Sequence, residues 1–171
     1  LPGVNLNPNW GQSTVVSFLT IQGDTTMKYS NLNYQGTELN QNLNLVSAGM
    51  QYIHIDFWNA NSTEVNFFLI SPGPNQQSVA LVPPGSTEQW ISVNIPLSQF
   101  QPTVNLTEVF QMMFTGNGTI YLDNIYFWDG TVPVELTAFT ATVNGNDVQL
   151  IWKTATENNN SGFQVERKSL N

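Results

Sequence analysis

Residues 52–58 read Tyr52-Ile53-His54-Ile55-Asp56-Phe57-Trp58. Aliphatic or apolar side chains alternate with polar or amphipathic ones at every step, and a period of two marks a strand with one buried face. Ile53, Ile55 and Phe57 therefore belong in a core. Tyr52, His54, Asp56 and Trp58 share the opposite face of the same sheet. Residues 90–95 repeat the arrangement, with Ile91, Val93 and Ile95 against Trp90, Ser92 and Asn94, and stop at Pro96. Working outward, strand patterns occur at 15–21, 27–34, 36–39, 65–70, 79–82, 109–115 and 119–128, bounded by Gly, Pro and Asn clusters. The turn at 59–63 predicts a pairing of 52–58 with 65–70. Gly116-Asn117-Gly118 predicts a hairpin between the strands on either side. Helical turns are expected only at 97–100 and 106–109. Many short strands and no long helical period predict an all-β chain, a jelly-roll-like two-sheet sandwich.

Composition narrows the function. The chain has 171 residues, a net charge of −8 and only four basic residues. Lys28 is the single basic residue before position 150, so there is no cluster of cations for nucleic acid or anionic lipid. Cysteine is absent, which removes disulfides and thiolate metal sites. No apolar run approaches the ~20 residues that span a bilayer as a helix. Charged residues make up 9%, far below an ordinary soluble chain, and Asn, Gln, Ser and Thr replace them. Such a surface hydrogen-bonds well and repels little, which suits sugars or copies of the chain itself.

The composition shifts near Asp129-Gly130, giving a sandwich over 1–130 and an arm over 131–171. The arm predicts three strands, at 134–143, 148–152 and 163–167, too few to fold as a sandwich alone. Its apolar positions, Val134, Leu136, Phe139, Val148, Leu150, Trp152, Phe163 and Val165, are candidates for assembly by strand pairing with the first domain or another chain.

The candidate binding residues follow from the alternation. An aromatic, imidazole and carboxylate row at Tyr52, His54, Asp56 and Trp58 suits a glycan, because flat rings stack on a pyranose face and polar neighbours take its hydroxyls. Trp90, Tyr29 and Tyr34 are further stacking candidates, as is Trp10. Catalysis has little to stand on. His54 is the sole histidine, and the acids are scattered without a dense motif. N-glycosylation sequons occur at Asn61, Asn105, Asn117 and Asn159. Asp123 stands two residues before Ile125 and four before Phe127, a parity that would place it on an apolar face.

Four segments carry a resemblance: KYSNLNYQGTEL (28–39), MQYIHIDFWNANSTEVNFFLISPGP (50–74), WISVNIPLSQF (90–100) and GTIYLDNIYFW (118–128). Together they resemble the non-catalytic β-sandwich modules associated with laminarinase-like family 16 glycoside hydrolases. Residues 132–167 resemble the start of the fibronectin-like region of type IX secretion substrates. The resemblance implies export, an extracellular or cell-surface location and a β-glucan-like polysaccharide as ligand. It also implies a structural calcium ion on the sandwich edge, with Asp123, Asp24 and Glu38 as the acids available to it. The chain departs from both patterns: only nine residues precede Trp10, and the fibronectin-like region stops at Asn171. Open ends of this kind suggest an alternative, a subunit of an extracellular filament or surface layer, joined to like subunits by β-strand exchange through the arm.

Overall fold

The computed structural model describes residues 4–81, 86–131, 136–155 and 165. In chain order the strands are β1 (Val15–Ile21), β2 (Asp24–Ser30), β3 (Tyr34–Leu43), β4 (Tyr52–Asn59), β5 (Val65–Ser71), β6 (Asn75–Ala80), β7 (Gln89–Pro96), β8 (Val109–Gly116), β9 (Ile120–Trp128), β10 (Leu136–Asn144) and β11 (Asp147–Thr154). A 3-10 turn spans Leu97–Phe100. The chain divides into two units, Leu1–Asp129 and Gly130–Asn171.

The first unit is a two-sheet antiparallel sandwich, as the alternation predicts. One sheet has the order β1-β2-β9-β4-β7 and the other β3-β8-β5-β6. β4 alternates half-buried and buried along its whole length, and its inward set, Ile53, Ile55 and Phe57, is fully buried. These residues pack with Met27, Tyr29, Ile120, Leu122 and Ile95 of their own sheet and with Val65, Phe67, Leu69 and Phe114 of the facing one. The 3-10 turn adds Leu97 and Phe100, whose ring meets Phe67 edge-on at 6.0 Å. Burying an aromatic or aliphatic side chain of this size contributes roughly 1.5–3 kcal/mol, so this core sets the alternation of every strand that reaches it.

Two pairings expected from the turns do not occur. β4 lies between β9 and β7 in one sheet, whereas β5 lies between β8 and β6 in the other. β8 and β9 are likewise in different sheets. Residues 59–64 and 116–119 are therefore arches that carry the chain from one sheet to the other. The two arches are bonded side by side. Asn117 Oδ1 accepts from the Thr63 N–H at 2.9 Å, Asn117 Nδ2 donates to Thr63 Oγ1 at 2.9 Å, and Asn61 Oδ1 accepts from the Thr119 N–H at 2.8 Å. Asn59 is fully buried and donates to the carbonyls of Ser62 and Ser86. Asn-rich turns thus close corners of the sandwich here, supplying the partners that buried backbone groups need. Each of the sequon asparagines Asn61, Asn105 and Asn117 has a side-chain hydrogen bond within these loops; Asn159 lies outside the described residues.

In the second unit β10 and β11 form a hairpin closed at Gly145-Asn146. Register places Phe139 opposite Trp152, Ala141 opposite Leu150 and Val143 opposite Val148 on one face. Phe139, Val143 and Val148 are 57%, 74% and 60% exposed. Leu136 and Val165 are exposed as well. Val134 and Phe163, and with Phe163 most of the third expected strand, lie outside the described residues.

Candidate functional site

The outer face of the five-stranded sheet carries four cross-strand rows centred on β4. In the first, Trp58 lies between Tyr121 of β9 and Trp90 of β7, and the two indoles meet edge to face at 6.1 Å. Lys28, opposite Tyr121 on β2, holds its ammonium 5.4 Å from that ring's centre. The second row sets Asp56 between Asp123 and Ser92. The third sets His54 between Tyr126 and Asn94, with the imidazole stacked on Tyr126 at 4.8 Å and Nδ1 2.8 Å from Asn94 Oδ1. The fourth sets Tyr52 between Trp128 and Pro96, with the Tyr52 and Trp128 rings 5.1 Å apart. From Trp58 to Tyr52 the strand runs about 20 Å at ~3.3 Å per residue.

A β-bulge makes this arrangement possible. Asp56 faces Asp123 while His54 faces Tyr126, so Ile55 alone on β4 is opposed by Asn124 and Ile125 together. Asn124 has φ +47°, a left-handed conformation that Asn tolerates better than most side chains. The extra residue reverses the parity of β9. Tyr121 and Asp123 face outward before it, and Tyr126 and Trp128 after it, while Ile125 and Phe127 pack on the core. The expectation that Asp123 shares a face with Ile125 and Phe127 is corrected by this one inserted residue.

Polar groups fill the middle of the face. Asp56 Oδ2 accepts from Asn124 Nδ2 at 2.9 Å, and Asp56 Oδ1 lies 3.2 Å from His54 Nε2. Asp123, in register with Asp56, accepts from the Asn124 N–H of its own strand at 2.8 Å. Partial burial pushes the Asp56 carboxyl up, but hydrogen bonds from Ser92 and Asn124, with the field and hydrogen bond of His54, outweigh it and hold the carboxyl below its ordinary value of 3.8. A depressed carboxylate contributes stability that is present above the unfolded value and lost as pH falls through the folded one. Asp56→Asn should therefore flatten the acid limb of the stability curve below about pH 4. Chemical denaturation at several pH values checks this; equal acid losses in both proteins would contradict it.

Beside the first row a cleft of ≈ 310 Å³ is lined by Leu19, Ile21, Trp58, Trp90 and Tyr121. Leu19 and Ile21 come from β1, at the sheet edge, and supply an apolar wall. Trp90 of the first row is 43% and Tyr126 of the third row 49% exposed, so both rings are open to solvent, while Tyr52 and Trp128 of the last row are half-buried.

The structure brings Tyr52, His54, Asp56, Trp58 and Trp90 onto this face and leaves the other sequence candidates elsewhere. Tyr29 is fully buried, edge-on to Phe114, because it faces inward from β2. Tyr34 begins β3 in the other sheet and donates its hydroxyl to the Trp10 carbonyl at 2.8 Å. Trp10 lies over Gly36, and its Nε1 donates to Glu38 Oε1 at 3.0 Å. Glu38 also accepts from Asn5 Nδ2 at 3.2 Å, so it serves that edge of the four-stranded sheet. Asp24 ends the β1–β2 hairpin and accepts from the Thr25 N–H. Asp123, Asp24 and Glu38 thus do not converge, and no group of three or more His, Cys, Asp or Glu side chains placed for a metal occurs among the described residues. Sequence reasoning missed Tyr121, Tyr126 and Trp128, whose shared face is hidden by the bulge. It also missed Leu19 and Ile21, which only the fold of the sheet brings beside Trp58.

No family model and no curated protein matches this chain. Solved structures do. A family 30 carbohydrate-binding module is similar with a TM-score of 0.52 at 15% identity, over 75% of this chain and 80% of that one. A family 29 carbohydrate-binding module gives 0.50 at 13%, over 74% and 80%. An exo-β-agarase gives 0.55 at 12%, over 77% of this chain and 24% of the enzyme. The sandwich is therefore a fold that solved carbohydrate-binding modules share. Among the described residues no helix is long and apolar enough to cross a membrane.

Proposed function

We propose that this chain is a secreted, non-catalytic module that binds extracellular polysaccharide of β-glucan type on the outer face of its five-stranded sheet. The observation that carries the reading is the ordered face itself. Aromatic rows at Trp58–Tyr121–Trp90 and Tyr52–Trp128 flank a polar middle of Asp56, Asn124, His54 and Asn94. Rings at the two ends suit the flat faces of sugar units, and the groups between them suit hydroxyls. The fold shared with solved carbohydrate-binding modules supports the reading without choosing a ligand. The association with laminarinase-like enzymes and the type IX export route are proposed from the sequence resemblance. The test is calorimetric titration of the intact chain with β-1,3-, β-1,4- and mixed-linked glucans, with Trp fluorescence as a second readout. Binding to at least one of them is expected; no response to any overturns the reading.

A second reading, self-assembly through the arm into an extracellular filament, is favoured by the apolar face of the β10–β11 hairpin. Phe139, Val143 and Val148 line it in register and are more than half exposed. Size exclusion and electron microscopy decide it. Concentration-dependent assembly that is lost on truncation at Thr131 is expected if the arm joins subunits; a monomer at every concentration rules that role out.

A further inference from the structure

We infer that the glycan site continues past Tyr52 into a groove at the end of the sandwich, so that its full ligand is a chain long enough to reach from the outer face into that groove; this rests on the sugar-binding reading of the outer face. Tyr52 closes the last aromatic row and also lines a groove of ≈ 560 Å³, with Val46, Met50, Pro96, Gln101 and Leu106 among its walls. Pro96 is the cross-strand partner of Tyr52, so row and groove meet without a gap.

The walls are built before any ligand arrives. Asn44 Oδ1 accepts from the Ser47 N–H at 2.9 Å, and the Met50 N–H donates to the Leu45 carbonyl at 2.9 Å. Gly49 turns this loop at φ +71°. The Leu45 N–H donates to the Leu106 carbonyl at 2.9 Å, which ties the loop to the opposite wall. That wall is fixed by Asn105, which accepts from the Thr107 N–H and hydroxyl and donates its own N–H to Ser71 Oγ. A site whose walls are already ordered loses little entropy on binding. On the rim of this hydrogen-bonded loop Val46 is 57% exposed, an aliphatic contact held outward, and Gln101 offers an amide to hydroxyls.

The groove and the Trp58–Trp90 cleft lie at opposite ends of the rows. A ligand that touches both must span the whole face of about 20 Å and the groove beyond it, and a short oligosaccharide fills only one end.

The full-length protein carrying Val46→Asp and Gln101→Ala tests this. Both positions border solvent or a groove, so an unchanged melting temperature confirms that the variant folds. Calorimetry uses a trisaccharide and a polymer of whichever β-glucan the wild type binds. Polymer affinity should fall roughly five- to tenfold while trisaccharide affinity stays constant. Unchanged polymer affinity, or equal losses for both ligands, overturns the inference and leaves the outer-face reading intact. A wild-type protein that binds no β-glucan removes the outer-face reading itself, and the inference with it.

Discussion

Replacing Trp58 with alanine is expected to weaken β-glucan binding by about thirtyfold or more, equivalent to ~2 kcal/mol or above, the range of a central aromatic anchor. Trp58 is the middle member of the first row and lines the apolar cleft. Its ring meets Trp90, and its neighbours across the strands are Tyr121 and Trp90. Truncation removes the floor of the cleft and leaves Trp90 without its edge-to-face contact. The cost to folding should be smaller, because Trp58 faces away from the core that Ile53, Ile55 and Phe57 fill. Calorimetry for affinity and a thermal melt for stability separate the two effects. An affinity within twofold of the wild type would remove Trp58 from the site.

Gly36→Ala should do the reverse. A Cβ at Gly36 would stand 2.1 Å from two ring atoms of Trp10, far inside contact distance. The indole cannot stay in place, and its movement breaks the bond from Nε1 to Glu38. Overpacking of this kind costs about 1–3 kcal/mol, and the lost hydrogen bond to a carboxylate adds to it. A melting temperature lower by roughly 5–10 °C is expected for a chain of this size. Glucan affinity should not change, since Gly36 and Trp10 belong to the β3 side of the sandwich. A stable variant with weakened binding would mean that Trp10, an early stacking candidate, contacts sugar after all. The pair of variants thus separates an indole that holds the fold together from one that faces a ligand.

The sandwich was legible because period two is a direct consequence of strand geometry, and 52–58 shows it without interruption. The connections were less legible. A Gly-Asn-Gly turn between two strand patterns reads the same whether the strands pair or cross between sheets. Only the sum of all strands, each sheet needing its own inner face, places β4 and β5 apart. The candidate site was half visible. Tyr52, His54, Asp56 and Trp58 follow from one strand's alternation, and Trp90 follows from β7. Tyr126 and Trp128 were hidden because the bulge at Asn124 reverses parity, and a one-residue shift exchanges every side chain between faces. Tyr29 and Tyr34 misled for a related reason. Their stretch is rich in Tyr and Asn, but β2 turns Tyr29 into the core and Tyr34 opens a strand of the other sheet.

The most direct test of the central claim follows the indole N–H resonances by nuclear magnetic resonance while a soluble β-glucan oligosaccharide is titrated into the intact chain. Shifts at Trp58 and Trp90, with Trp10 unmoved, are the predicted result. Shifts confined to Trp10 or to Trp152 of the hairpin would contradict the placement of the site on the outer face of the five-stranded sheet.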